Sequence, residues 1–388
     1  MARTPAEIPE AMLRLALCAG VGPAFLHEAA DLLGGWEGVA AADAAGLARV
    51  PGVGEARASA IRSQLDAVDV DAERRAMERA GVHALLAGDA DFPSLMASLP
   101  RMPPILWVRG DPAALAWDAV GVVGARRATA YGRAQAGRFA SAAAAEGIAV
   151  VSGGARGVDA EAHRAALRVG GRTVAVLGSG LGDPYPIEHA ELFEAIVAAG
   201  GLLVSEFPTL YPPLPSNFPR RNRIISALSL AVLVVEAGTS SGALITARHA
   251  VDDHGRVPCA LPGPVDSPRS AGCNAAIRDG WVQAVLDPED LLALVDDAAR
   301  RLARRPPVGA EALDVPDGLR QHVERTCVIL SRRPRIGDED LAATLGTDVK
   351  TARVARTFAQ VASAARGRSR RARRTEVAGP GGQFQPMA

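Results

Sequence analysis

The sequence lacks any stretch that could cross a membrane or direct the chain into one. No run approaches the roughly 18–20 consecutive apolar residues of a membrane-spanning helix, although 48% of the 388 residues are hydrophobic. The first ten residues have no basic segment followed by an apolar one, so they do not resemble a signal peptide. We therefore expect a soluble, cytoplasmic protein with no membrane partner.

Cysteine is also scarce, and its few positions are scattered. The four cysteines are Cys18, Cys259, Cys273 and Cys327. The absence of a close pair argues against both a zinc site and a disulfide framework. Scattered cysteines are typical of a reducing compartment. The sequence thus predicts no metal site.

The motifs of common nucleotide-dependent enzymes are missing as well. There is no GxxxxGK[ST] loop for ATP, and no GxGxxG that opens a helix with an acid about 20 residues further on, as a dinucleotide-dependent oxidoreductase needs. Four residues could be imagined as acid–base groups: Asp159, His163, Asp183 and His189. Asp159 is interpreted as a helix N-cap, and both histidines lie on predicted helices without an evident partner. We expect no catalytic residue and no cofactor, and we therefore predict that the protein is not an enzyme.

Lysine is nearly absent, and the charges are unevenly distributed. Lys350 is the only lysine, so almost every cation is an arginine. The net charge is zero, but residues 301–388 hold 17 basic and nine acidic residues, so this segment carries +8 and residues 1–300 carry −8. Six arginines lie within Arg366–Arg374. Such asymmetry often marks a basic arm that binds polyanions.

Composition and glycine spacing divide the chain into three predicted domains, at residues 1–75, 76–303 and 304–388. In the first, Gly20-Val21-Gly22 and Gly52-Val53-Gly54 each precede helical spacing. This is the helix-hairpin-helix pattern, in which glycines let backbone amides approach a phosphate. A small helical bundle whose glycines only make turns is the alternative.

The last domain opens with a linker at Arg305-Pro306-Pro307. Beyond it, Gly337–Arg353 is typical of a helix–turn–helix with its turn at Gly346-Thr347-Asp348. The interpretation is a winged-helix-like module followed by a basic tail.

The central domain alternates β-rich runs with helical stretches. The predicted strands are Ile105–Val108, Val120–Val123, Ile148–Ser152, Thr173–Leu177, Leu202–Ser205, Leu230–Val235 and Val257–Leu261. Most are nearly continuous Val, Ile, Leu and Ala, as expected of strands buried on both faces of a parallel sheet. Predicted helices at 132–146, 160–169 and 188–199 lie between them. The alternation predicts an α/β fold with a doubly wound, mostly parallel sheet that binds ligands outside the carboxyl ends of its strands.

Glycine-rich loops follow four of these predicted strands. They contain Gly124 and Arg126 after the second strand, Ser152, Gly153 and Gly154 after the third, Gly178 and Gly180 after the fourth, and Ser240 and Gly242 after the sixth. One such loop carries little information, because any doubly wound sheet needs glycines at strand ends. Four loops at carboxyl ends predict a continuous anion-binding rim of backbone amides and helix amino termini.

A cluster of arginines and one aromatic residue follows Pro215. Its members are Phe218, Arg220, Arg221, Asn222 and Arg223, with no acid among them. Arg220 and Arg223 are three apart and therefore neighbours on one helix face. Arginines hold phosphates, and an aromatic ring offers a base a stacking platform worth about 1–3 kcal/mol. The alternatives are a buried Phe218 and a solvated arginine face.

Several longer stretches carry a resemblance to a known family. They are SGGARGVDAEAHRAAL (152–167), VAVLGSGLGDPYPIEHAELF (174–193), SEFPTLYPPLPSNFPRRNRIISALSLAVLVVEAG (205–238), TSSGALITARHA (239–250) and LPGPVDSPRSAGCNAAIRDG (261–280). They are similar to the DNA-processing protein A family, DprA or Smf, over about residues 85–290.

The resemblance implies a bacterial protein with an extended Rossmann fold that binds single-stranded DNA. The rim of amides and arginines, with little evident means of reading base edges, predicts binding without sequence preference. The resemblance further implies protection of incoming DNA in natural transformation, loading of the RecA recombinase, and a homodimer. The family's DNA-contacting positions correspond to Gly124, Arg126, Ser152, Gly153, Gly154, Phe218, Arg221, Asn222, Arg223, Ser240 and Gly242. The carboxyl end departs from the family, because 354–388 lacks the apolar third helix and β-wing of a winged helix.

Two other function classes compete with this interpretation. Nucleotide phosphoribohydrolases of the lysine-decarboxylase-like family have similar phosphate loops, but they carry Pro-Gly-Gly-x-Gly-Thr-x-x-Glu. Here Ala243 or Leu244 stands where the catalytic carboxylate is needed. A pure protein-interaction scaffold would leave the arginine and aromatic cluster unexplained.

Overall fold

The computed structural model describes residues 2–89, 91–97, 102–304 and 337–357, together with residues 319, 322 and 326. The chain forms two compact units, residues 1–299 and 300–388. The arginine run Arg366–Arg374 lies outside the described residues. The three domain boundaries stay a prediction.

A nine-stranded sheet organises the described part of the first unit. The strands are β1 (His83–Leu86), β2 (Ile105–Gly110), β3 (Ala119–Val123), β4 (Ala149–Ser152), β5 (Thr173–Leu177), β6 (Leu202–Ser205), β7 (Ala231–Val234), β8 (Val257–Ala260) and β9 (Gln283–Ala284). Their order is β1-β2-β6-β5-β4-β3-β7-β8-β9. β2 is antiparallel to β1 and β6, and all other neighbours are parallel. The predicted doubly wound, mostly parallel sheet is confirmed.

Helices precede the sheet and connect its strands. They are α1 (Glu10–Leu17), α2 (Pro23–Leu33), α3 (Trp36–Ala41), α4 (Ala44–Ala48), α5 (Glu55–Ala67), α6 (Val70–Ala80), α7 (Ser94–Ala97), α8 (Ala130–Ala145), α9 (Val158–Arg168), α10 (Ala190–Ala198), α11 (Asn217–Ala227), α12 (Gly242–Asp252), α13 (Ala271–Arg278) and α14 (Pro288–Arg304). In the described part of the chain, none of the helices combines the length and hydropathy that crossing a membrane requires.

The sheet is buried on both faces, which explains its continuous apolar strands. In β5, Val174 and Val176 pack in one core with Ile224 of α11. The intervening Ala175 and Leu177 pack in another core that contains Phe193 of α10. Because successive strand residues point to opposite faces, each face of β5 has its own apolar set.

The helical segment before the sheet is joined to it by a buried carboxylate. Oε1 of Glu73, on α6, accepts hydrogen bonds from Trp107 Nε1 (2.9 Å), Thr209 N (2.8 Å) and Thr209 Oγ1 (2.7 Å). Trp107 lies on β2, and Thr209 lies beyond β6. His27 of α2 adds a hydrogen bond between its Nε2 and the carbonyl of Met102 (2.9 Å). A buried polar network around Glu73 therefore joins the segment to the sheet, and His27 adds a separate, partly buried bond.

The two predicted hairpins lie between helices. Gly20 (φ +75°) follows α1, and Gly52 (φ +71°) lies between α4 and α5. Both turns use the left-handed backbone region that favours glycine. Whether they contact DNA stays a prediction.

The described residues of the second unit include a helical pair. α15 (Asp338–Leu345) ends at Gly346 (φ +73°), and residues 349–357 are helical. Leu341, Leu345 and Ala352 form a small core. A third helix and a wing fall outside the described residues, so the winged-helix module stays a prediction.

Replacing Glu73 with alanine should lower the free energy of unfolding by about 2–4 kcal/mol, because three buried donors lose their acceptor. Urea denaturation of Glu73→Ala beside Glu78→Ala, an exposed glutamate on the same helix, measures the difference. Equal losses in the two variants would contradict a special role for Glu73.

Candidate nucleic-acid interface

A pocket of about 500 Å³ lies at the carboxyl ends of the central strands. In the strand order, β4, β5 and β6 lie on one side of β3, while β7 and β8 lie on the other. Loops after β3 and β7 therefore diverge, and such a switch point leaves a crevice for ligands. The pocket lies there, and it contains these predicted residues: Gly124, Arg126, Phe218, Arg221, Asn222 and Gly242. The predicted loops thus meet at one edge of the sheet.

Two buried charges lie beneath the loop that follows β4. Arg221, only 3% exposed, donates from Nη1 to the carbonyls of Gly153 and Val176. Asp159 Oδ2 accepts from the amides of Gly153 (3.0 Å) and Ala155 (3.4 Å). A Cβ on Gly153 would lie 2.6 Å from the Asp159 carboxylate and 2.7 Å from the Arg221 guanidinium. Only glycine fits between these two side chains.

Burial dominates the ionisation of both groups. It raises the pKa of Asp159 to about 6 and lowers the pKa of Arg221 to about 10, since each charged form loses hydration. Asp159 is not the N-cap that the sequence suggested. Gly157 caps α9 and Asp159 is its second residue, and its carboxylate bonds amides of the preceding loop.

Arg126 and Phe218 form the exposed wall of the pocket. The Arg126 guanidinium carbon lies 4.9 Å from the centroid of the Phe218 ring, and the Tyr185 ring lies 5.8 Å away from it. A Cβ on Gly178 would lie 2.9 Å from the ring, so glycine makes room for it. Phe218 is half-buried and Arg126 exposed. Phe218 is therefore not fully buried, and its stacking role stays a prediction.

Arg220 and Arg223 lie outside this pocket. Both contact Glu206 Oε2, at 3.3 and 2.6 Å respectively, and Arg220 lies over the Phe207 ring at 5.3 Å. The two arginines are neighbours on α11, as their spacing predicts. Their acid comes from beyond β6 and is distant in sequence. The cluster therefore divides between two sides of α11.

The remaining predicted residues shape the loops or lie beside the pocket. Ser152 is buried and donates from Oγ to the carbonyl of Val122 (2.6 Å), and Gly154 (φ +63°) packs against Phe193. Ser240 is exposed but does not line the pocket. The neighbouring Ser241 does, and its hydroxyl accepts from Ala243 N at 3.3 Å to cap α12. Ser241 and the predicted Gly242 thus line the pocket in this loop, and a role of Ser240 in binding stays a prediction.

Sequence reasoning missed several residues that hold the site. Tyr185, Ser241 and Thr246 line the pocket. Glu236 is buried, and its Oε2 accepts from the amide of Thr129 (2.9 Å), which ties the loop after β3 to the loop after β7. Tyr185 carries a usable signal, because it is an aromatic residue in a glycine-rich loop. Nothing local marks Glu236.

Both histidines that lacked an evident partner in the sequence have one in the fold. His163 Nδ1 is 2.7 Å from Thr173 Oγ1, and His189 Nδ1 is 2.9 Å from the carbonyl of Gly154. Burial lowers the pKa of His163 to about 3. Within the described ranges, no three His, Cys, Asp or Glu side chains form a group able to hold a metal ion.

Comparison with known proteins identifies relatives of this site-bearing region. The model of the family described as DNA recombination-mediator protein A matches residues 83–296. Protein Smf of Escherichia coli is 46% identical over 212 residues, 54% of this chain and 56% of that protein. Protein Smf of Synechocystis is 37% identical over 278 residues, 71% of this chain and 69% of that protein. The match thus spans little more than half of the Escherichia coli protein.

Two solved structures share the fold. The crystal structure of DprA from Streptococcus pneumoniae has a TM-score of 0.63 at 28% identity, covering 74% of this chain and 98% of that one. A structure of Helicobacter pylori DprA, described as showing a unique single-stranded DNA binding mode, has a TM-score of 0.50 at 27% identity, covering 57% and 96%. The family match runs from β1 into α14 and includes every loop of the pocket. This chain belongs to the DNA recombination-mediator protein A family.

Proposed function

We propose that this chain binds single-stranded DNA in the pocket at the carboxyl ends of β3, β4, β5 and β7. The observation that carries the proposal is the exposed Arg126 guanidinium over the half-buried Phe218 ring. An unpaired base can stack on an aromatic ring while an arginine holds its phosphate. Helicobacter pylori DprA, described by its single-stranded DNA binding mode, supports the same ligand class.

The binding is proposed to be independent of base sequence. Reading a base needs side-chain donors and acceptors directed at its edge. The side-chain amide of Asn222 donates to the carbonyl of Gly242 (3.2 Å), and Arg221 is occupied by two backbone carbonyls. Arg126 and the glycine-rich loops offer contacts to phosphate, which is common to all sequences.

We also propose that the protein is not an enzyme. Asp159 is the one carboxylate among the described residues that line the pocket, and it accepts hydrogen bonds from two loop amides. Hydrolysis of a glycosidic bond ordinarily uses a pair of carboxylates. The role that fits Asp159 is to hold the loop after β4 in place.

The wider biological role is proposed from family membership. It comprises protection of incoming DNA in natural transformation, loading of the RecA recombinase, and action as a cytoplasmic homodimer.

The strand preference tests the proposed function directly. Fluorescence anisotropy should show tighter binding to single-stranded than to blunt duplex oligonucleotides at several salt concentrations, with similar affinity for different sequences. A duplex buries its bases, so it cannot use the Phe218 platform. Equal affinity for duplex would contradict the proposal, and turnover of a nucleoside monophosphate would favour an enzyme.

Substitutions of Arg126 and Phe218 should separate phosphate binding from base stacking. Arg126→Ala should weaken binding and make its salt dependence shallower by about one phosphate contact. Phe218→Ala should weaken binding by about 1–3 kcal/mol and leave that slope unchanged, because stacking releases no counterions.

The control for the pair is Phe218→Tyr, which keeps the ring and should bind nearly normally. Melting temperatures of all three variants show whether the fold is intact. If Phe218→Ala melts early yet binds normally when folded, the ring has no stacking role.

Asp159→Asn should change how stability depends on pH. The pKa of Asp159 is about 6 in the folded protein and about 3.9 in an unfolded chain, so the folded state binds more protons between these values. Stability should therefore fall by roughly 3 kcal/mol as pH rises from about 4 to about 6.5.

The asparagine variant should lack this part of the pH profile. Urea denaturation across the pH range measures the difference. An unchanged pH profile would contradict the burial argument.

A further inference from the structure

The far side of α11 borders a second groove, of about 540 Å³. Its walls come from the first glycine hairpin and from α11 and α12. Residues that line it include Gly22 and Pro23 of the hairpin, Arg220 and Arg223 of α11, and His249 and Asp253 of α12. We refer to it as the hairpin groove.

Cations outnumber acids around the hairpin groove. Arg220 and Arg223 both contact the carboxylate of Glu206, and 45% of the Arg220 side chain is exposed. Arg57 Nη2 donates to the carbonyl of Gly20 (3.3 Å), which brings a further cation to the hairpin. The acid on the lining is Asp253, whose Oδ2 is 2.5 Å from His249 Nδ1. This excess of positive charge favours binding of a polyanion in the groove.

The hairpin presents open backbone to this groove. A Cβ at Gly20 or Gly22 would meet no atom within 4 Å, so there is open space beside both Cα atoms. α2 begins at Pro23, and no side chain caps it. Uncapped amides at a helix start, next to arginine side chains, are suited to phosphate oxygens. No arginine adjoins this hairpin in the sequence, and the fold brings Arg57 and Arg220 near it from distant positions.

The hairpin groove and the proposed DNA pocket lie on opposite sides of α11, and both are lined by α11 and α12. Pro219 and Asn222 of α11 line the pocket, whereas Arg220 and Arg223 line the groove. α12 likewise contributes its first turn to the pocket and its last turn to the groove. A helix with its side chains is about 10–12 Å across, so a strand of a few nucleotides can contact both.

We propose that single-stranded DNA leaving the pocket crosses α11 and that its flanking phosphates bind in the hairpin groove. This inference rests on the proposed function. It assigns the amino-terminal helical segment a direct part in holding the strand, through Gly22 and the uncapped amides of α2 that follow Pro23, which itself has no N–H. The groove adds affinity only for strands long enough to extend beyond the pocket.

Substitution of Gly22 provides the sharpest test. Gly22 has φ −101° and ψ 167°, an extended conformation that any residue adopts, and aspartate is a favoured N-cap. Gly22→Asp should therefore keep or raise the melting temperature while placing a negative charge in the phosphate path. Gly22→Asn, a neutral N-cap of the same size, is the matched control.

Two oligothymidylates, of about 5 and about 20 nucleotides, separate the pocket from the groove. Gly22→Asp should weaken binding of the longer strand by about 5–10-fold at low salt and leave the shorter strand unaffected. Gly22→Asn should bind both strands like the unmodified protein. Equal binding of the longer strand by both variants would overturn the inference.

Charge substitutions on the helices give an independent measurement. Arg220→Ala should weaken binding of the longer strand, and Asp253→Asn should strengthen it. The control is Arg168→Ala, because Arg168 is also a half-exposed arginine paired with one glutamate (2.7 Å to Glu161). It lies in the last turn of α9, at the end of that helix away from the pocket residue Asp159. An effect of Arg168→Ala as large as that of Arg220→Ala would contradict a local groove.

The shorter strand distinguishes failure of this inference from failure of the proposed function. If the unmodified protein binds it and Arg126→Ala weakens that binding, the pocket binds DNA whatever the groove variants do. If neither strand is preferred over duplex, the proposed function itself fails. If pocket binding is normal and the Gly22→Asp, Arg220→Ala and Asp253→Asn variants bind the longer strand like the unmodified protein, only the inference about the groove is contradicted.

Discussion

The geometry of the pocket depends on the buried guanidinium of Arg221. It connects α11 to the loop after β4, through Gly153, and to β5, through Val176. A buried cation is costly unless it is well hydrogen-bonded and opposed by negative charge. The carbonyls satisfy the hydrogen bonds, and the nearby carboxylate of Asp159 opposes the charge. Three elements that are far apart in sequence are thereby held at one edge of the sheet, with a glycine between the two charged groups.

Neighbouring side chains of α11, around Arg221, have three different roles. Phe218 and Asn222 lie on the pocket side, Arg221 points into the protein, and Arg220 and Arg223 lie over Glu206. A periodicity of 3.6 residues makes this division inevitable, because adjacent side chains on a helix diverge by about 100°. A run of arginines in sequence is therefore not one cationic patch in space, and its members differ in burial, partner and accessible ligand.

Much of the fold could be predicted from sequence, because buried parallel strands are continuous apolar runs. The strands at Thr173–Leu177 and Leu202–Ser205 agree to the residue, and the other five predicted strands differ by one or two residues at an end. β1 and β9 were missed, since strands of four and two residues carry little pattern. Within the site, glycines and exposed arginines were recognisable by type. The roles of Glu236, Glu206 and Asp159 were not, because each depends on partners that only the tertiary fold brings near.

The Glu73 network carries a consequence for how the molecule resists unfolding. Because one carboxylate serves both β2 and the segment after β6, separating α6 from the sheet breaks three hydrogen bonds and exposes Met77, which packs in the same core as Trp107. The helical segment cannot detach at small free-energy cost, as a tethered accessory would. Hydrogen exchange should therefore place α6 in the same cooperative unit as the central strands. The amino-terminal helices therefore form one structural unit with the sheet, and the first glycine hairpin has a fixed position relative to that sheet.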